Sequence, residues 1–183
     1  MDFRIVYIVF VDLDKNGSYM NHVKGFIEGL LSRGLEAEVL GKGRSDINDR
    51  FLRFTGKLPK IIAYSILDLY GAYKIMTLPK SHVYVLRPYR FTIFLYLAAR
   101  ISKVTLVQEN NGILHDELRR NGLKLQSVLF KYSELLSRNI PTLHLCVSSG
   151  ILKHYETLNV SGDLYLSSNG ISKDRIYKRR STL

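Results

Sequence analysis

The chain predicts one α/β domain of Rossmann-like type, a parallel sheet flanked by helices. Three observations predict it. A continuous apolar run at 5–11 (IVYIVFV) is rich in β-branched and aromatic residues, the pattern of a central strand buried on both faces. A Gly-containing loop, an amphipathic helix and a second strand follow within the first forty residues, which makes a βαβ unit. Strand-like and helical segments then alternate through the rest of the chain, as a doubly covered parallel sheet requires.

Each element has its own signal. After the loop at 12–18 (DLDKNGS), Met20, Val23, Ile27, Leu30 and Leu31 recur at three- and four-residue spacing. Ser18 has the chemistry of an N-cap, and Gly34 that of a C-cap. Strand 37–40 (AEVL) follows directly. The segment 42–59 is basic and weakly periodic, which predicts a loop with some helix. Over 61–76 a helix is predicted, with Ile62, Ile66, Leu69 and Tyr73 near one face. Residues 83–86 (VYVL) form a strand broken by Arg87-Pro88, and 91–101 an apolar helix. A strand at 104–107 leads to helical stretches over 114–134, interrupted at Asn121-Gly122. Strand 143–147 (LHLCV), a helix ending near 158 and a short strand at 164–166 complete the domain, which is expected to span 1–170. Residues 171–183 then form a basic tail or the start of a linker.

At 183 residues the length suits about one domain, and 46% hydrophobic with 23% charged residues excludes disordered and disulfide-scaffold classes. The lone Cys146 has no internal disulfide partner. The most apolar stretch, 91–99, is far shorter than the roughly 20 residues of a membrane-spanning helix. The N-terminal run lacks the flanks of a signal peptide. The cytoplasm is therefore the expected location. A formal charge of +11 and a pI of 9.8 favour an anionic partner. The charge is densest at Lys42, Arg44, Arg50, Arg53, Lys57 and Lys60, and again between Lys173 and Arg180.

Ligands of open parallel sheets bind beyond the carboxyl ends of the strands. Those ends carry Asn16-Gly17-Ser18, Arg87, the run from Gln108 to Gly112, and Ser148. Gly17 invites close backbone approach, and a following helix N-terminus favours an anion or a sugar-phosphate oxygen. Neither a dinucleotide fingerprint nor a Walker loop occurs. Clustered amides and carboxylates at Glu109, Asn110, Asn111 and Gly112 suit hydroxyl recognition, as in sugar binding. Glu109 is the strongest candidate for function, because a carboxylate at a strand end has little structural reason to be there. His22, in the first helix, points at the crevice or at solvent. His144 and Cys146 share a strand face, which reads as core packing, since no third metal ligand accompanies them.

The order of these segments resembles the N-terminal domain of family 4-like glycosyltransferases of the GT-B type. NGSYMNHVKGFIEGLLSRGLEAEVL at 16–40 is similar to that family's strand–Gly loop–helix–strand element. VQENNGILHDEL at 107–118 resembles its Glu-containing strand end, which gives Glu109, Asn111, Gly112 and Glu117 counterparts. LHLCVSSGILKHY at 143–155 resembles the strand–VS–helix element that holds Ser148. LSSNGISKDRI at 166–176, with Asn169 and Gly170, resembles the stretch that closes the family's N-terminal domain.

The resemblance implies retaining transfer of a sugar from a nucleotide-sugar donor to a glycan or lipid-linked acceptor. This half then contributes the acceptor side of the cleft and holds no cofactor of its own. Glu109 is the catalytic candidate by its place at a strand end. Acceptor contacts are expected from Asn16, Gly17, Ser18, His22, Arg87, Asn110, Asn111, Gly112, Ser148, Asn169 and Gly170. A missing C-terminal domain or partner subunit would bring the donor, and an anionic membrane surface is a further expected partner. The competing expectation is a non-catalytic binding module of the same fold for nucleic acid or a membrane surface. Aromatics are not interleaved with the basic clusters, which disfavours nucleic acid.

Overall fold

Parallel pairing joins all six strands of the computed structural model, which describes residues 4–15, 17–43, 50–80, 82–88 and 92–167. The strands are β1 (Arg4–Asp12), β2 (Glu36–Lys42), β3 (Val83–Arg87), β4 (Thr105–Asn110), β5 (Leu143–Cys146) and β6 (Asp163–Leu166). Their order is β2-β1-β3-β4-β5-β6. Helices α1 (Ser18–Leu31), α2 (Lys60–Thr77), α3 (Phe94–Ser102), α4 (Leu114–Arg120), α5 (Lys124–Ser137) and α6 (Ser149–Thr157) connect them, with a 3-10 turn at Leu52–Lys57. The expected Rossmann-like α/β fold is therefore the observed one. Among the described residues no helix is long and apolar enough to cross a membrane.

Alternation along β1 divides the core. Val6, Ile8 and Phe10 face α2 and α3, where they pack on Leu67, Ile75 and Leu95. Ile5, Tyr7 and Val9 face α1 and meet Met20, Val23 and Ile27. Every residue from Val6 to Phe10 is at most 1% exposed, which explains why β1 lacks polar alternation. Register carries the two faces across the sheet: Tyr7 lies beside Val85, and Val85 beside Val107.

Several local expectations change. Ser18 is the first helical residue of α1, not its cap; Gly17 holds the cap position and no side chain closes it. Gly34 does terminate α1, in the left-handed region at φ 74°, with its amide donating to the Leu31 carbonyl. Helix α2 exists, but the face marked by Ile62, Leu69 and Tyr73 points outward. Its buried face is built from smaller residues, Ala63, Gly71 and Ala72, together with Leu67 and Ile75. Gly71 is tight because a side chain there would meet Leu95 Cδ1 at 2.9 Å. Lys42 leaves the basic surface altogether: it is buried, and its Nζ donates to Asp12 Oδ2 at 2.8 Å. Strand β4 runs three residues further than the apolar pattern at 104–107, through Gln108, Glu109 and Asn110.

Candidate functional site

The sheet reverses its winding at β1, which has β2 on one side and β3 on the other. The crevice of a doubly wound sheet opens beyond the carboxyl ends at such a point. Four side chains converge near it on one buried carboxylate. The Tyr7 hydroxyl in β1 donates to Glu109 Oε2. Asn111 Nδ2 donates to Glu109 Oε1 at 2.9 Å. His22 Nε2, from α1, lies 2.7 Å from the same oxygen. Arg87 Nη1, at the end of β3, approaches it to 3.7 Å. The side chains of Glu109, Arg87 and His22 are only 6, 12 and 17% exposed.

Position explains the convergence. Tyr7, Arg87 and Glu109 stand on the α1 face of three adjacent strands, and His22 is one turn into the helix that covers this face. The electrostatics follow. Burial alone would raise the Glu109 carboxyl, but the close approach of His22, with hydrogen bonds from Tyr7 and Asn111, outweighs burial and holds it down to about 2. Tyr7 is pushed well up, by its burial first and by the Glu109 charge second. Glu109 is thus a fixed anion at neutral pH. A carboxylate of such low basicity serves poorly as a general base and well as an anchor for cations and amides.

A cleft opens beside this group, lined by Arg87, Pro88, Glu109, Asn111, Gly112 and Glu117 among others. At Gly112 the Glu117 carboxylate folds over the backbone, and a side chain there would have to move that carboxylate aside. Asn110 borders the cleft, but its side chain serves the other face. Its Nδ2 is 3.4 Å from His144 Nδ1, and its Oδ1 accepts from Gln108 Nε2 at 2.7 Å. Gln108 continues that network by accepting from the Tyr96 hydroxyl at 2.6 Å.

The other expected site residues fare differently. The Ser148 hydroxyl is used to cap α6, accepting from the Ile151 amide at 3.3 Å. Gly17 is exposed and extended, and a side chain there would meet nothing within 4 Å, so no tight turn demands glycine. The backbone of Ser18 opens α1. Asn16, Asn169 and Gly170 lie outside the described residues. His144 and Cys146 are fully buried core residues, and burial depresses the His144 imidazole to about 4.

Two polar residues, one in the site and one on the opposite face of the sheet, were not singled out in the sequence. Tyr7 sits in the middle of an apolar run, where a tyrosine reads as core. Asp68 organises the neighbouring α3: its Oδ2 accepts from the Ile93 and Phe94 amides, both at 3.2 Å, and its Oδ1 from Leu95 at 3.0 Å. The signal for either would have been a polar group at a buried position of a strand or helix. Among the described residues one group could hold a metal ion, His115, Glu134 and His154, away from Glu109 on the helices α4, α5 and α6. Compared with known families, the chain matches no family model, and no curated protein is significantly similar to it.

Proposed function

We propose that this chain is the acceptor-side half of a retaining GT-B glycosyltransferase, completed by a domain or subunit that brings the nucleotide-sugar donor. One observation carries the proposal: a buried, ionised Glu109 gripped by Tyr7, His22, Arg87 and Asn111 at the carboxyl ends of the central strands. Such a site offers imidazole, guanidinium and amide groups with fixed orientation, which suits sugar hydroxyls or a phosphate. In this arrangement Glu109 is a positioning residue for His22 and Arg87.

A second feature favours a lipid-linked acceptor over a free glycan. An apolar groove runs between α2 and the α4–α5 pair, lined by Ile61, Tyr64, Leu118, Leu129 and Phe130. Phe130 also lines the polar cleft beside Glu109. A ligand with an apolar tail and a polar head would occupy both.

The test is calorimetric titration of the chain with a short-chain polyisoprenyl diphosphate sugar and, separately, with UDP- and GDP-sugars. Binding of the lipid-linked compound, weakened about tenfold or more in Arg87→Ala, is the expected result. Tight binding of a nucleotide-sugar by this chain alone would overturn the division of roles. The alternative, a non-catalytic module for an anionic partner, is favoured by the +11 charge. It predicts saturable binding of one nucleic acid sequence or of anionic vesicles. A steep salt dependence shared by unrelated polyanions would show charge attraction only.

A further inference from the structure

Three successive helices bring His115, Glu134 and His154 together. His115 stands in the first turn of α4, Glu134 in the last turn of α5 and His154 in α6. His115 Nδ1 is 2.9 Å from Glu134 Oε2, and His154 Nε2 is 3.6 Å from Glu134 Oε1. The two imidazole rings are 5.5 Å apart. One ligand atom from each residue lies within 4.8 Å of the others. A tetrahedral ion with bonds of 2.0–2.1 Å to N and O holds its ligand atoms ~3.3 Å apart; the two contacts reach different oxygens of Glu134, and a set lying within 4.8 Å closes to that separation by side-chain rotation.

Satisfaction of polar atoms points the same way. His115 Nδ1, Glu134 Oε1 and His154 Nε2 are all buried, and none makes an aligned hydrogen bond. The Glu134 side chain is 6% exposed and also meets the Tyr155 hydroxyl, and a buried carboxylate in such a setting favours a cation beside it. Behind His115, Asp116 Oδ1 lies 3.6 Å from Nε2, the ring nitrogen that points away from Glu134. An outer carboxylate on the far nitrogen of a ligating imidazole is the usual support of a metal-bound histidine. The Tyr155 ring packs edge-on against His154 and walls the cluster on another side.

We propose that His115, Glu134 and His154 bind one divalent first-row transition ion of the zinc type, with water at the fourth position. Two imidazoles and one carboxylate match that ion class better than calcium or magnesium, which prefer all-oxygen shells. The ion clips α4, α5 and α6 to one another, so its effect is on folding and on the orientation of the helices that carry Phe130 and Glu117. The site does not depend on the glycosyltransferase reading.

The untagged chain, stripped with a chelator, is titrated with Co²⁺ while its visible absorption is followed, and with Zn²⁺ while its melting is followed. One equivalent of Co²⁺ should give the intense bands of a tetrahedral site, and Zn²⁺ at about a hundredfold excess over Kd should raise Tm by about 5–10 °C. His154→Ala should abolish both signals. Asp116→Asn, a change at a half-exposed position that leaves the core intact, should weaken Co²⁺ binding about 10- to 100-fold. Absence of tetrahedral absorption and of a melting shift in the wild-type chain would overturn the site. So would unchanged Co²⁺ binding in a folded His154→Ala variant.

Discussion

Glu109 in β4 and His144 in the adjacent β5 stand on neighbouring strands but differ in chemistry. One is a buried acid held ionised by its neighbours, the other a buried base held neutral by its surroundings. Both make the fold acid-sensitive, in different windows. The Glu109 carboxyl sits at about 2 when folded, against 4.5 when free, so the unfolded chain binds the extra proton between those values. Its contribution is complete above about pH 4.5 and is lost as pH falls towards 2. The His144 imidazole sits at about 4 when folded, against 6.5 when free, so stability falls as pH drops from 6.5 to 4. Each step is on the order of 3 kcal/mol. Denaturant unfolding followed from pH 7 to pH 2 should therefore show two declines. His144→Gln should remove the upper one and Glu109→Gln the lower. A single decline unaffected by either change would refute the assignment.

Helix ends give predictions at the scale of the element. Helix α3 has no cap from its own sequence, and Ile93 occupies the cap position. Asp68 in the middle of α2 supplies the missing acceptors to three amides at once. Burial pushes its carboxyl up while those three amides pull it down. Asp68→Ala strands the donors and should cost about 3 kcal/mol in denaturant unfolding, with Asp68→Asn recovering part of it. A cost below about 1 kcal/mol would mean that α3 finds water instead. Helix α1 ends on Gly34 in left-handed backbone. Gly34→Ala should cost about 1–2 kcal/mol there, measured the same way. On α2, Ile61, Leu69 and Met76 are each more than half exposed. Replacing Leu69 with Lys should leave the melting temperature within about 2 °C, since that stripe faces outward.

For the whole molecule, burial falls from the centre of the sheet to its β6 edge. The middle of β1 is sealed on both faces, whereas Tyr165 and Leu166 in β6 are 56 and 60% exposed. Amide exchange should follow this gradient: β1 and β3 open only with global unfolding, and β6 opens locally and sooner. Exchange in β6 as slow as in β1 would show that another surface covers that edge.

The sequence by itself determined the kind and order of elements, because hydrophobic period and glycine or proline punctuation are local properties. The β1 run, the α1 periodicity and the break at Asn121-Gly122 all appear in the fold where those signals stand. It also marked Glu109, His22, Arg87 and Asn111, since strand ends of a parallel sheet are where ligands gather. Tertiary structure alone decided which of these side chains meet. The strand face sends Glu109 towards Tyr7 and Asn110 away from it, and β4 must run past its apolar core for that alternation to count. The same holds for α2, whose outward stripe is as apolar as its inward one, so that close packing against Gly71 and Ala72 chose the face. His115, Glu134 and His154 show the limit most plainly. They lie on three successive helices, and only the packing of those helices brings one donor atom from each within 4.8 Å of the others.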